Sequence, residues 1–86
     1  MGSPPDFDTV ARFGAARSRV LADVAEACRR VGRDPDDVAL VAVSKTVAVE
    51  RLGAAVAAGL TLLGENRVQE AESKAPLLMG ARWHLI

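Results

Sequence analysis

The chain has little of several residue types and motifs on which common protein functions depend. It contains one cysteine, Cys28, and one histidine, His84, so no intrachain disulfide can form and no metal-ligand spacing is recognisable. Cys28 lies within an apolar helical pattern, which predicts a small buried side chain and favours a reducing compartment. The sequence also lacks the glycine-rich phosphate-binding motifs and the nucleophile-elbow motif, so dinucleotide, P-loop and hydrolase functions have no support.

An excess of charge of either sign is missing too. Eleven Lys and Arg balance eleven Asp and Glu in 86 residues, so no net field would attract nucleic acid or an anionic membrane. No stretch approaches the roughly 18 apolar residues of a membrane span, and the first residues do not resemble a secretion signal. The arginines of the first helix are diluted by acidic residues and indicate a solvated face. We therefore expect a cytoplasmic protein with no metal, nucleic-acid or membrane partner.

The composition that remains is that of a small folded domain. Half of the residues are hydrophobic and 26% are charged, which is typical of a globular protein. We expect one domain over residues 1–86, with residues 1–7 disordered. A domain of this size buries only about 60% of the surface that its unfolded chain exposes, so its stability should be modest.

Hydrophobic periodicity predicts three helices alternating with three strands. A long amphipathic helix should begin at its N-cap Asp8, continue to Val31 and end at Gly32. Residues 38–44 follow as a strand whose unbroken apolar run indicates burial on both faces. A second helix is predicted within residues 47–59, with Val49, Leu52 and Val56 on one face and Gly59 at its end, and a second strand covers residues 60–64.

The third helix and third strand complete the pattern. Asn66 and Gln69 form a variant of the capping box at the start of the third helix, and Pro76 should kink or end it. Residues 82–86 form the third strand. The order of elements predicts an α/β fold in which right-handed crossovers connect the strands of a parallel sheet.

Three polar side chains are predicted at the carboxyl ends of these strands, where functional groups of parallel α/β folds gather. Lys45 follows the first strand, Asn66 follows the second together with Glu65, and His84 lies in the third. Each residue also has a plain structural interpretation. Lys45 could simply reach into solvent, Asn66 could only cap a helix, and His84 could be a core residue.

Lys45 has the clearest possible chemical use of the three. Strand alternation places it on the same face as Val41 and Val43, above an apolar surface. A primary amine in such a setting loses its proton more easily than in water, and the neutral amine condenses with an aldehyde to give a Schiff base. Position alone does not decide between this use and simple exposure to solvent.

Several motifs, taken in order, resemble those of a known family. The segments GRDPDDVALVAVSKT, AAGLTLLGENRVQEA, KAPLL and RWHLI are similar to the first third of the pyridoxal phosphate homeostasis protein family. The resemblance covers nearly the whole chain from about Asp8. The combination of V-S-K-T, G-E-N-x-V-Q-E and W-H-x-I is specific, although each motif alone is weak.

The resemblance implies a fold, a cofactor and a set of site residues. Members resemble the N-terminal domain of alanine racemase, a (β/α)₈ TIM barrel, so the chain would form the N-terminal part of such a barrel. Lys45 would bind pyridoxal 5′-phosphate through a Schiff base, while Asn66 and His84 match positions on the cofactor side. Members regulate the intracellular vitamin B6 pool and amino-acid and keto-acid balance, generally without demonstrated turnover, so we expect no enzyme activity.

The length of the chain leaves a second function open. The family continues beyond W-H-x-I with five more strands, and its cofactor phosphate is normally held by later strand–helix loops. We therefore expect a truncated chain that retains the cofactor weakly or not at all. The alternative is a non-catalytic interaction module, or an inactive fragment, that associates with itself through open sheet edges, whereas full-length relatives are expected to be monomers.

Overall fold

The computed structural model describes residues 6–86 and contains a parallel three-stranded sheet with helices packed against one face. The α/β order and the parallel sheet are as predicted. In chain order the helices and strands are α1 (Phe7–Val31), β1 (Ala42–Val43), α2 (Val49–Ala57), β2 (Leu62–Glu65), α3 (Val68–Lys74) and β3 (Arg82–Leu85). Short 3₁₀ helices at Pro35–Asp37 and Ala75–Leu77 precede β1 and follow α3.

The first helix begins earlier than the sequence suggested. Its N-cap is Asp6 and not Asp8, because the Asp6 carboxylate accepts a hydrogen bond from the Thr9 amide at 3.2 Å. Asp8 instead lies in the first turn, where its negative charge interacts favourably with the positive end of the helix dipole. The predicted end is confirmed, since Gly32 adopts a left-handed conformation with φ 70°. Of the residues expected to be disordered, 1–5 lie outside the described part of the chain.

The first strand is shorter than predicted. Residues 38–41 are not part of the ladder, and β1 is confined to Ala42 and Val43, which pair with Leu63 and Gly64 of β2. The prediction of burial on both faces is also wrong, because Val43 is 55% exposed. Helices cover only one face of the sheet, so a continuous apolar run here does not indicate two covered faces.

The core lies between that covered face and the helices. Leu52 of α2, Leu63 of β2 and Leu78 form its centre, and half-buried Trp83 of β3 packs against them. The long helix α1 packs on α2, where the guanidinium of Arg51 lies 5.2 Å from the ring centroid of Phe13. Cys28 is buried on α1, as its place in the apolar stripe predicted.

The start of α3 differs from the predicted capping box. Arg67 occupies the N-cap position with extended backbone, no side chain caps the helix, and Asn66 lies one residue earlier. The predicted end is confirmed, because α3 stops at Lys74 and Pro76 lies in the following 3₁₀ helix. None of the helices described for residues 6–86 has the length and apolar character needed to cross a bilayer.

Candidate functional site

The carboxyl ends of the three strands bring the three predicted site residues to one edge of the sheet. The parallel register aligns Val43, Gly64 and His84 across β1, β2 and β3. Lys45 lies in the turn two residues after Val43, and Asn66 directly follows the last residue of β2, so both lie at the carboxyl edge that His84 also approaches. Lys45, Asn66 and His84 are all exposed. The exposure of Lys45 agrees with its plain interpretation as a side chain in solvent, and exposed His84 is not a core residue. Asn66 does not cap α3, because Arg67 occupies the N-cap position.

The face beneath these residues is largely apolar, and Val41 and Ile86 lie close to the backbone of Gly64 there. A Cβ atom at Gly64 would lie 3.1 Å from Cγ1 of Val41 and 3.4 Å from two carbons of Ile86. The absence of a side chain therefore lets these neighbours close over the backbone of β2. A flat apolar ligand could lie against this surface with its polar groups directed to the carboxyl edge.

The chain has two lysines, and the structure gives them opposite surroundings. Lys45 is exposed, and within residues 6–86 its ammonium forms no hydrogen bond or ion pair. Lys74 of α3 is only 7% exposed. Its Nζ donates to the Ser44 carbonyl oxygen at 2.9 Å, to Glu65 Oε2 at 3.0 Å and to Glu70 Oε2 at 2.7 Å. All three ammonium hydrogens are used, so Lys74 has no free amine for chemistry.

A buried polar cluster thus lies behind the candidate site, on the face of the sheet that the helices cover. Ser44 and Glu65 are both fully buried. The Ser44 hydroxyl contacts the Gly64 carbonyl oxygen at 3.1 Å and also Oε2 of Glu65. The second oxygen of Glu65, Oε1, is buried without a hydrogen-bond partner among the described residues. One ammonium therefore faces two carboxyl groups, of which Glu65 is fully buried and Glu70 is partly exposed.

The hydrogen bonds of this cluster favour the charged forms of Lys74 and Glu70. Burial works against the charge of Lys74, but hydrogen bonds to Glu70 and Glu65 outweigh it and raise the pKa of Lys74 above its ordinary value. The hydrogen bond from Lys74, helped by one from the Thr46 backbone, lowers the pKa of Glu70 below its ordinary value. A lysine whose pKa is raised is a poor nucleophile at neutral pH, which leaves Lys45 as the available amine.

Sequence reasoning placed Glu65 at the carboxyl edge but did not find this cluster. One local signal was present, because Glu70 and Lys74 are four residues apart and therefore adjacent on a helix. The other signal was strand alternation, which turns Ser44 and Glu65 to the face opposite Lys45 and Asn66. Neither pattern indicates that the two pairs meet, since that depends on how α3 packs against the sheet.

The arrangement at the edge suits an aldehyde ligand better than a metal ion. Across residues 6–86, no three His, Cys, Asp or Glu side chains are grouped so that they could hold a metal. An accessible primary amine lies instead beside an apolar face, with an amide and an imidazole at the same edge. The amine fits a carbonyl carbon, and the other two groups can form hydrogen bonds with polar substituents of a ring.

Comparison with known proteins finds relatives that share one name. No family model matches the chain. A pyridoxal phosphate homeostasis protein from Pseudomonas aeruginosa is 44% identical over 71 residues, which cover 80% of this chain and 31% of that protein. The protein of the same name from Escherichia coli K12 is 35% identical over 74 residues, covering 80% of this chain and 32% of its own length. One from Deinococcus radiodurans is 43% identical over 68 residues, which cover 78% of this chain and 32% of that protein. The chain thus spans about a third of the length of these curated relatives.

Proposed function

Since the chain belongs, over its matched region, to the pyridoxal phosphate homeostasis protein family, we propose that it binds pyridoxal 5′-phosphate through Lys45. The observation that carries the proposal is the contrast between the two lysines. Lys45 offers an exposed amine at the carboxyl edge, whereas Lys74 is buried and donates three hydrogen bonds. The proposed role is regulation of the vitamin B6 pool and of amino-acid and keto-acid balance, without turnover.

When bound, the cofactor supplies an aldehyde, and condensation with a neutral amine forms a C=N bond and releases one water molecule. In this proposal Lys45 provides that amine from above the apolar face at Val43 and Gly64. Asn66 and His84 lie at the same edge, where they would orient the ring by hydrogen bonds.

We further propose that the three strands are part of a TIM-barrel sheet in a cytoplasmic protein. The parallel order β1–β2–β3 supports the first point, since each strand follows a helix as in a β/α barrel. The single buried cysteine, Cys28, supports the second, because it suits a reducing compartment. Because late barrel loops hold the phosphate in such folds, the 86 residues should retain the cofactor weakly.

The test is to mix the chain with pyridoxal 5′-phosphate, reduce it with borohydride, and map the adduct by mass spectrometry. We expect a visible imine absorbance that dialysis removes, and a reduced adduct on Lys45 but not on Lys74. Lys45→Arg keeps the positive charge and should abolish both signals. Asn66→Ala and His84→Ala should weaken the absorbance without changing the helical circular dichroism, since both side chains are exposed. A parent chain that gives no adduct on Lys45 would refute the proposal.

A second function is favoured by the open edges of the sheet. In the described part of the chain β1 and β3 each pair only with β2, and Leu85 and Ile86 are 64% and 58% exposed. Unpaired strands with apolar side chains are templates for association. An interaction module would give a stable, colourless oligomer in sedimentation experiments, and Leu85→Lys would dissociate it. A cofactor-binding chain would instead lose its absorbance on Lys45→Ala.

A further inference from the structure

The turn that carries Lys45 has an unusual backbone. The Val47 amide donates to the Ser44 carbonyl oxygen at 3.1 Å, which closes a four-residue turn with Lys45 and Thr46 at its centre. Thr46 has φ 63°, and it is the one residue other than glycine with a positive φ within residues 6–86. A positive φ at the third position is the pattern of a type II turn, which normally has glycine or asparagine there. A β-branched residue keeps this conformation only where its surroundings impose it.

Two side chains of α3 hold this turn at both of its sides. Glu70 Oε2 accepts a hydrogen bond from the Thr46 amide at 2.9 Å, and this contact needs the amide to point toward α3. Lys74 donates to the Ser44 carbonyl oxygen at 2.9 Å, at the base of the same turn. Glu70 and Lys74 are themselves joined at 2.7 Å. The i,i+4 pair on α3 therefore fixes the peptide groups that flank Lys45, while the Lys45 side chain itself stays free.

We propose that Glu70 is a positioning residue for Lys45. Glu70, held by its ion pair with Lys74, accepts the hydrogen bond of the Thr46 amide and so keeps Thr46 in its left-handed conformation. That conformation of the turn directs the Lys45 amine toward the apolar face and away from the helices. The inference rests on the proposed function for its consequence in cofactor binding. Its structural half, the control of the turn by Glu70, is tested without any cofactor.

The first measurement uses the chain without cofactor and compares two glutamates of α3. Glu70→Ala removes the acceptor of the Thr46 amide, whereas Glu72→Ala removes an exposed carboxylate of the same helix. We expect hydrogen exchange of the Thr46 amide to accelerate about tenfold or more in Glu70→Ala, as expected when a hydrogen bond to a charged group is lost. Reductive methylation of Lys45 with formaldehyde should change in rate in this variant, and Glu72→Ala should match the parent in both measurements.

The second measurement is the equilibrium constant for imine formation with pyridoxal 5′-phosphate. Glu70→Ala should lower it about tenfold. Adding Thr46→Gly should restore it to within about twofold of the parent, because glycine adopts positive φ without help. The melting temperature should stay low in the double variant, since Lys74 still lacks one carboxylate partner. This separation of binding from stability is not expected of a residue that only supports the fold. If Glu70→Ala fails to fold, Glu70→Gln keeps an oxygen acceptor and should give intermediate values.

Each outcome decides the inference. It is overturned if Thr46 exchange is the same in Glu70→Ala and the parent, or if Lys45 methylation and imine formation stay unchanged while exchange accelerates. It is also overturned if Thr46→Gly fails to restore the binding lost in Glu70→Ala. If the parent forms no imine, the proposed function fails, but the exchange and methylation rates still decide whether Glu70 controls the turn.

Discussion

Replacing Lys74 by methionine should destabilise the fold far more than the same replacement at Lys45. Lys74 is 7% exposed and forms an ion pair with Glu65, which is fully buried and whose Oε1 has no partner within residues 6–86. Methionine keeps most of the side-chain volume but removes three hydrogen bonds and the positive charge. Breaking a buried ion pair in this way costs about 3–5 kcal/mol, because the remaining charge is left without compensation.

That loss is a large part of what a chain of this size can have. At about 0.05–0.15 kcal/mol per residue, an 86-residue domain has roughly 4–13 kcal/mol of stability. Urea unfolding followed by circular dichroism at neutral pH would measure the difference. Lys45→Met is the matched control and should stay within about 0.5 kcal/mol of the parent, since its ammonium is exposed and unpaired among the described residues.

The reasoning fails if the two methionine variants are equally stable. A third variant separates charge from packing. In Lys74→Met with Glu65→Met the buried carboxylate is gone, and replacing both partners by apolar groups is often neutral or stabilising. We therefore expect the double variant to recover most of the lost stability. If it is as unstable as Lys74→Met alone, the loss comes from packing around α3 and not from an uncompensated charge.

Three further predictions address acid stability, the floor of the site and the core. Because the pKa of Glu70 is lowered in the fold, its ionised carboxylate stabilises the protein at pH values above its ordinary pKa of 4.5, and this stabilisation is lost as pH falls through the folded pKa. In Glu70→Gln the free energy of unfolding, measured with urea, should therefore depend less on pH over that acid range. Gly64→Val should weaken the reduced adduct measured by mass spectrometry, because a Cβ there already meets Val41 at 3.1 Å. Leu63→Ala should cost about 2–5 kcal/mol in urea unfolding, whereas exposed Leu77→Ala should cost little.

Each of these predictions has a result that would contradict it. An unchanged acid profile in Glu70→Gln would mean that the hydrogen bonds from Lys74 and Thr46 do not favour the ionised carboxylate. A Gly64→Val chain that forms the adduct as readily as the parent would show that the close approach of Val41 and Ile86 to Gly64 is not needed for the adduct. Equal losses at Leu63 and Leu77 would mean that the core is not centred on the covered face of the sheet.

The sequence predicted the order of elements better than their ends. The period of the apolar positions in α1 and the glycine after Val31 are local signals, and both were confirmed. The N-cap was placed at Asp8 because two aspartates flank Phe7 and both can cap a helix, so a local pattern could not separate them. The first strand was overextended for a different reason. Its length is set by the residues of β2 that lie opposite, which local sequence does not reveal.

In the candidate site, too, the features with local sequence signals were predicted and those that depend on distant contacts were not. Parallel order was enough to predict that Lys45, Asn66 and His84 reach one edge, since Lys45 and Asn66 follow the ends of β1 and β2 and His84 lies one residue before the end of β3. Their roles toward a cofactor stay predictions. The cluster around Lys74 could not be predicted, because its contacts join residues up to 30 positions apart, as in the bond from Lys74 to Ser44.

The structure also connects stability with the geometry of the site. Lys74 forms an ion pair with Glu65 on the covered face of the sheet. Glu70 and Lys74 also form hydrogen bonds with Thr46 and Ser44 in the turn that carries Lys45. Changes in this pair should therefore affect unfolding and cofactor binding together. Changes at Asn66 or His84 should affect binding alone, because these exposed side chains take no part in the cluster. If Glu70 positions Lys45 as proposed, the placement of the exposed amine also depends on Lys74, whose own ammonium donates three hydrogen bonds.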